Sequence, residues 1–165
     1  APDRLDLVNL ENVPLAEGDT VVFVIWREHF LGDVRLALEK KCHVVVGLEA
    51  INSPELTDVD LAIGSHNDVS RDFNPKQALN RFKRIVITRG AEGSIEYSTD
   101  GETSHPAEAV SVLDATGAGD AFLAGYLTAM SDHKNSAAER LALGSKWAAK
   151  TIQIESSVPP PFNTL

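Results

Sequence analysis

A glycine-rich stretch that ends in a carboxylate is the part of this sequence best suited to chemistry. It covers residues 114–120 and reads Asp114-Ala115-Thr116-Gly117-Ala118-Gly119-Asp120. A glycine inside a helix costs about 1 kcal/mol relative to alanine, yet two glycines lie where a helix over residues 119–130 is predicted to begin. Small residues at a helix start leave its backbone N–H groups accessible, and such groups can hold a phosphoryl group.

Asp120 is either a residue that caps this helix or a catalytic base. An aspartate in a first turn complements the helix dipole, and most such residues are structural. A capping box that begins at Thr116, however, would require Glu or Gln at the position of Gly119. Capping also gives no reason for the paired glycines. The catalytic interpretation is therefore favoured, with backbone donors that stabilise charge as a group is transferred.

Two further turns follow predicted strands. Residues 88–93 come directly after the apolar run 84–88 and contain two glycines, which let the backbone pass close to a ligand at a strand end. A simple turn between a strand and a hairpin would also explain these glycines. Asn67 follows the strand predicted at residues 61–63, and an isolated asparagine there is more often a helix cap.

Taken together, these stretches resemble the ribokinase-like (PfkB-type) carbohydrate kinases. The C-terminal signature of that family is Asp-Thr-x-Gly-Ala-Gly-Asp, and residues 114–120 match it except at Ala115. The resemblance implies that Asp120 takes the proton from the sugar hydroxyl. It also implies an anion hole formed by the backbone of Gly117, Ala118 and Gly119. Some members bind a monovalent cation, and the corresponding positions here are Asp114 and Thr116.

The resemblance also implies ATP and Mg²⁺ as cofactors. The nucleotide-binding turn of the family, Thr-x-Gly-x-x-Gly, matches at Thr88, Gly90 and Gly93. Its Asn-x-x-Glu motif, which helps to organise Mg²⁺ and its waters, matches at Asn67. Ser70 stands where the glutamate of that motif is expected.

The composition is that of an ordinary globular protein and restricts the partners. Of the 165 residues, 43% are hydrophobic and 24% are charged, and the formal net charge is −9. Such a charge repels polyanions, so no nucleic-acid partner is expected. No apolar run approaches the ~20 residues that span a bilayer, so no membrane partner is expected. Cys42 is the only cysteine, which fits a reducing, cytoplasmic setting.

The order of the predicted elements indicates an α/β fold. Apolar runs predict strands at 21–25, 43–46, 61–63 and 84–88. Asp100-Gly101 predicts a hairpin between 94–97 and 102–105. Helices are predicted at 28–41, 76–82, 119–130 and 136–154. This alternation favours a three-layer αβα sandwich with a mainly parallel sheet, and the resemblance identifies it as ribokinase-like.

Residues 1–165 are interpreted as a single domain, the C-terminal nucleotide-binding and phosphoryl-transfer portion of a sugar kinase. The resemblance implies that the N-terminal half and its lid are lacking, so this portion alone is expected to be inactive. The expected reaction is ATP-dependent phosphorylation of a sugar hydroxyl, with a small-molecule sugar and a nucleotide as partners and a homodimer in the intact protein. The alternative is a non-catalytic nucleotide-binding or interaction domain derived from a sugar kinase.

Overall fold

The computed structural model describes residues 10–154, which form a sheet covered by helices. The strands are β1 (Thr20–Phe23), β2 (His43–Gly47), β3 (Leu61–Ser65), β4 (Arg84–Thr88), β5 (Ser94–Ser98) and β6 (Gly101–His105). The helices are α1 (Leu31–Glu39), α2 (Pro75–Ala78), α3 (Ala118–Met130) and α4 (Ala137–Thr151). None of the helices within residues 10–154 is long and apolar enough to cross a membrane.

The six strands lie side by side in the order in which they occur along the chain. Strands β1 to β4 are parallel, and β5 and β6 extend the sheet as an antiparallel hairpin. The predicted mainly parallel sheet and the predicted hairpin are therefore both confirmed. Because β1 to β4 are parallel, their carboxyl ends meet at one edge of the sheet. This edge carries the candidate site.

The central strands β2, β3 and β4 are buried on both faces, as their apolar sequences predict. Val44 and Val46 of β2 point into a core that also contains Val34 and Ala37 of α1. Val45 points to the opposite face, into a second core with side chains of α3 and α4. Alternate residues of a strand face opposite sides of a sheet, so the two cores confirm the three-layer αβα arrangement.

Four elements are shorter than the sequence predicts: β1, α1, α2 and α4. Strand β1 ends at Phe23, and the apolar Val24 and Ile25 beyond it are 53% and 59% exposed. Helix α2 ends at Ala78 because residues 81–83 turn into a bridge with Val59, whose N–H donates to the carbonyl of residue 81 at 3.1 Å. At α2 a tertiary contact, and not the apolar pattern, decides where the element ends.

Candidate functional site

A cavity of about 230 Å³ lies at the carboxyl edge of the parallel strands. We call it the carboxylate cavity because three carboxylates line it, those of Glu49, Asp68 and Asp120. The ends of β1 to β4 form its base, and the first turn of α3 forms one wall. The position is the one at which open α/β sheets commonly bind ligands.

A second cavity, of about 540 Å³, lies on the other side of the α3 start. We call it the loop cavity because the loop of residues 107–112 covers it together with the turn of residues 90–93. Its lining brings together five residues that the sequence singled out, Thr88, Gly90, Gly93, Ala118 and Gly119. Most of the remaining lining is apolar, including Val110, Val112 and Ile152.

The two cavities share part of their walls. Thr88, Gly119 and Phe122 line both of them. Thr88 is held in place because its hydroxyl donates to the carbonyl of Gly64 at 3.1 Å. A side chain added at Gly119 would meet nothing within 4 Å, so the backbone of the helix start is open to an approaching group. A molecule in the loop cavity can therefore place one end beside Asp120.

Helix α3 begins with donors that are available to an anion. Gly117 adopts a left-handed conformation with φ of +77°, and among the described residues no side chain caps the helix. Within residues 10–154, the N–H groups of Gly117, Gly119 and Asp120 donate to no protein acceptor. Ala118 was expected to contribute its N–H to the anion hole, but this N–H already donates to the carbonyl of Ala115 at 3.2 Å. Unpaired amides at the positive end of a helix favour a phosphate group.

The Asp120 side chain is exposed in the third position of α3. Its carboxylate makes no hydrogen bond or ion pair with any residue of the described range 10–154. It does not form the capping box that a purely structural role would favour. Among the described residues, therefore, this carboxylate lines the carboxylate cavity without a partner.

Asp114 and Thr116 form a local turn ahead of α3. The N–H of Thr116 donates to Oδ1 of Asp114 at 2.8 Å. Hydrogen bonds from the backbone and the hydroxyl of Thr116 hold the pKa of Asp114 below its ordinary value. Asp114 therefore stays ionised near neutral pH. Neither residue lines the two cavities, and within residues 10–154 no group of three or more acidic, histidine or cysteine side chains is arranged to hold a metal ion.

Gly90 and Gly93 of the 88–93 turn are required for different physical reasons. Gly90 has φ of +55° and open space beside its Cα, where it lines the loop cavity. Gly93 has φ of +92°, and a Cβ there would collide with the carbonyl oxygen of His105 and lie 2.8 Å from Pro106. Gly93 therefore lets the β5–β6 hairpin close as well as lining the cavity.

Replacing Gly93 by alanine is expected to lower the free energy of unfolding by roughly 1–3 kcal/mol, because backbone strain is added to a steric overlap. The matched change Gly90→Ala adds conformational strain without any overlap, so its expected cost is about 1 kcal/mol. Urea unfolding midpoints of the two variants check this difference. Equal midpoints would mean that the hairpin can shift away from the new methyl group.

Sequence reasoning placed Asn67 at the site, but Asn67 is exposed and lies outside the lining of both cavities. Ser65 and Asp68 line the carboxylate cavity instead. Asp68 is oriented because its Oδ2 accepts the N–H of Ser65 at 2.6 Å. Ser65 and Asp68 have the same three-residue spacing as the expected Asn-x-x-Glu motif, two positions earlier in the chain.

Sequence reasoning also missed Glu49, the third carboxylate. It lies two residues beyond the end of β2, and its Oε1 accepts the N–H of Trp26 at 2.8 Å. This bond ties the turn after β1 to the turn after β2. The signal that could have found Glu49 is its position, because a carboxylate that follows a buried parallel strand lies at the ligand-binding edge.

The chain was compared with known proteins. A family model described as pfkB family carbohydrate kinase matches residues 18–162. A 1-phosphofructokinase from Haloferax volcanii is 27% identical over 135 residues, which are 78% of this chain and 44% of that protein.

Two solved structures are similar in fold. One is the aminoimidazole riboside kinase from Salmonella enterica, solved with aminoimidazole riboside and an ATP analog. The TM-score is 0.69 and the sequence identity is 20%, and the match covers 88% of this chain and 60% of that one. The other is a fructokinase double mutant from Vibrio cholerae, solved with fructose, ADP and a potassium ion. The TM-score is 0.70 and the sequence identity is 17%, and the match covers 91% of this chain and 59% of that one. This chain therefore spans less than two thirds of each of the three proteins.

Proposed function

The chain belongs to the pfkB family of carbohydrate kinases, and we propose that it carries the nucleotide-binding and phosphoryl-transfer portion of an ATP-dependent sugar kinase. In this proposal the γ-phosphoryl group of ATP moves to a hydroxyl group of the sugar. Turnover needs further residues that complete the acceptor side, because binding energy and exclusion of water orient the two reactants.

The observation that carries the proposal is the wall shared by the two cavities. Thr88 and Gly119 line both, and Asp120 lines the carboxylate cavity next to them. A donor bound on one side and an acceptor bound on the other would meet at the start of α3. Phosphoryl transfer is mainly positioning and charge stabilisation, which suits an arrangement of backbone donors and one base.

ATP is proposed to bind in the loop cavity. The apolar side chains of the 107–112 loop and of α4 suit a base and ribose. The polyphosphate would lie against the amides of Gly117, Gly119 and Asp120, where the helix dipole favours negative charge. Gly90 offers close approach of the backbone on the opposite side, because nothing lies within 4 Å of its missing Cβ.

Asp120 is proposed as the general base. Its carboxylate would accept the proton of the attacking hydroxyl as the oxygen–phosphorus bond forms and the bond to the leaving ADP breaks. The amides beside it would stabilise the negative charge on the transferring group. The acceptor oxygen would occupy the carboxylate cavity.

Two cations complete the proposal. Mg²⁺ is usually held by one or two carboxylates together with substrate phosphates, and Asp68 of the carboxylate cavity has the suitable chemistry. Bound there, Mg²⁺ would offset the charge of the phosphates. A monovalent cation would lie beside Asp114, whose hydrogen bonds with Thr116 keep it ionised. A potassium ion is bound in the Vibrio cholerae fructokinase of similar fold, and its placement beside Asp114 in this chain is part of the proposal.

Nucleotide binding by this chain tests the proposal. Millimolar ADP is expected to shift the backbone NMR signals of residues 88–93 and 117–120. Gly119→Leu should weaken binding by about tenfold or more, because its side chain would cover the amides that hold the phosphates. The matched control is Gly32→Leu, since Gly32 also precedes an aspartate in a first helical turn and has equally open space.

The outcomes separate three interpretations. Shifts at both turns that Gly119→Leu weakens and Gly32→Leu leaves unchanged support the proposed nucleotide site. Shifts that cluster away from residues 88–93 and 117–120 would contradict it. Equal affinities of the two leucine variants would mean that the start of α3 does not hold the phosphates.

A further inference from the structure

A third cavity, of about 470 Å³, lies at the amino edge of the parallel strands, opposite the candidate site. We call it the amino-edge cavity. It is enclosed by the starts of β1, β2 and β4 and by the end of α3 with the loop that follows it. The helix that carries Asp120 at its first turn therefore reaches this cavity with its last turn.

Basic side chains dominate the polar lining of the amino-edge cavity. They come from separate elements: His43 from β2, Lys83 and Arg84 from the start of β4, His133 from the loop after α3, and Arg140 from α4. This gathering of donors is unusual in a chain whose formal net charge is −9. It lies at the opposite edge from the proposed phosphoryl-transfer site, so the proposed function leaves it unexplained.

The carboxylates around the cavity form hydrogen bonds or ion pairs with only some of these donors. Both oxygens of Asp60 are occupied, Oδ2 by the N–H of Val44 at 2.9 Å and Oδ1 by Nζ of Lys83 at 2.7 Å. Glu96 lies beneath the cavity, fully buried, and is bonded by Arg140. Asp132 is exposed, and its Oδ1 accepts the N–H of Lys134 at 3.0 Å.

Several donors remain available after this pairing. The Arg84 side chain forms one ion pair within residues 10–154, from Nε to Oε1 of Glu96 at 3.7 Å, and its terminal nitrogens donate no hydrogen bond to the described residues. The Lys83 side chain is 62% exposed and makes one bond with Asp60. Nδ1 of His43 lies 3.8 Å from Oδ1 of Asp60, which leaves Nε2 of His43 for a ligand. The ring of His133 lies 6.3 Å from that of His43, and an imidazole has at least one N–H donor in either protonation state.

We propose that the amino-edge cavity binds a small phosphate-bearing molecule. Arg84 and Lys83 would hold the phosphate oxygens, since guanidinium and ammonium groups are the usual phosphate ligands in proteins. His43 and His133 would donate from the opposite side, and Leu127 and Met130 would contact the carbon portion. The volume suits a phosphorylated metabolite of a few carbons.

The probes for this site are glycerol 3-phosphate, inorganic phosphate and glycerol at constant ionic strength, with NMR of the chain as the readout. Glycerol 3-phosphate is expected to shift the signals of His43, Lys83 and His133, and glycerol is expected to shift none of them. Arg84→Gln should raise the dissociation constant by about tenfold, because the guanidinium–phosphate pair is lost. His133→Asn, a change at an exposed residue, should weaken binding in the same direction.

Lys76→Gln is the matched control, because Lys76 is an exposed lysine with one ion pair away from this cavity. It should leave the affinity unchanged. Equal binding of inorganic phosphate would support a phosphate subsite without a role for the carbon portion. Three results would overturn the proposal: shifts confined to residues 117–120, equal weakening by all three variants, or an Arg84→Gln variant that is folded and binds as well as the wild type.

Discussion

On the proposed function, Asp120→Asn in the full-length protein is expected to lower kcat by ~10²–10⁴-fold, the usual contribution of a positioned base, while nucleotide affinity stays nearly unchanged. Asparagine keeps the size of the side chain and still suits the first turn of a helix, but it cannot accept the proton of the attacking hydroxyl. Stability should change little, because within residues 10–154 the Asp120 carboxylate has no hydrogen bond or ion pair to lose. Removing a negative charge near the phosphates lowers the electrostatic repulsion, so any change in nucleotide affinity should be a slight increase.

The chain offers a closely matched control. Asp33 is the third residue of α1 and follows a glycine, as Asp120 does in α3. Asp33→Asn therefore makes the same change at the same helical position, away from the carboxylate cavity. The measurements are kcat, nucleotide affinity and Tm for both variants. If Asp120→Asn kept wild-type kcat and lowered only Tm, Asp120 would be a structural residue of the helix start.

The parts of the fold that depend on local pattern could be predicted from the sequence. Continuous apolar runs such as 43–46 and 84–88 predict strands that are buried on both faces, and β2 and β4 cover these residues. Asp100-Gly101 predicts the hairpin, and β5 and β6 have the predicted pairing. In these segments the chemistry of neighbouring residues decides the structure, so no knowledge of distant contacts is needed.

The composition of the candidate site was less predictable because it depends on convergence in space. Thr88 and Gly119 are 31 positions apart in the numbering, yet they share two cavity walls. The resemblance to the Asn-x-x-Glu motif pointed to Asn67. The side chain that lines the cavity is instead that of Asp68. A short turn can rotate one residue toward a site and its neighbour toward solvent, and residue type alone does not reveal which one.

The buried ion cluster around Glu96 could not be predicted from the sequence. Glu96 lies in β5, in a stretch that reads as an ordinary hairpin strand, yet its side chain is only 1% exposed. Its partner Arg140 is 44 residues away, on α4. Arg140 donates to both carboxylate oxygens of Glu96, and the Tyr126 hydroxyl of α3 donates to Oε2 at 2.8 Å. Burial and the Glu96 charge raise the pKa of Tyr126, which keeps its hydroxyl protonated as a donor.

Glu96→Gln is expected to lower the free energy of unfolding by about 3–5 kcal/mol, the usual effect of removing one partner of a buried ion pair. The loss arises because Arg140 keeps its charge in a largely buried position while its counter-charge disappears. Arg84, whose Nε lies 3.7 Å from Glu96, loses the same neighbour. Since the cluster joins β5 to α3 and α4, the whole cooperative unit should be affected, and urea unfolding followed by circular dichroism measures it.

Two comparisons make this expectation specific to buried charge. Glu102→Gln removes an exposed carboxylate of β6 that pairs with Lys76 at 3.8 Å, so its cost should be below about 1 kcal/mol. The double variant Glu96→Leu/Arg140→Met removes both charges together and should be more stable than Glu96→Gln, because the largely buried charge of Arg140 is removed with its partner. If Glu96→Gln cost no more than Glu102→Gln, the cluster would not anchor α3 and α4 to the sheet, and their packing would have to depend on the apolar core around Phe122 and Leu141.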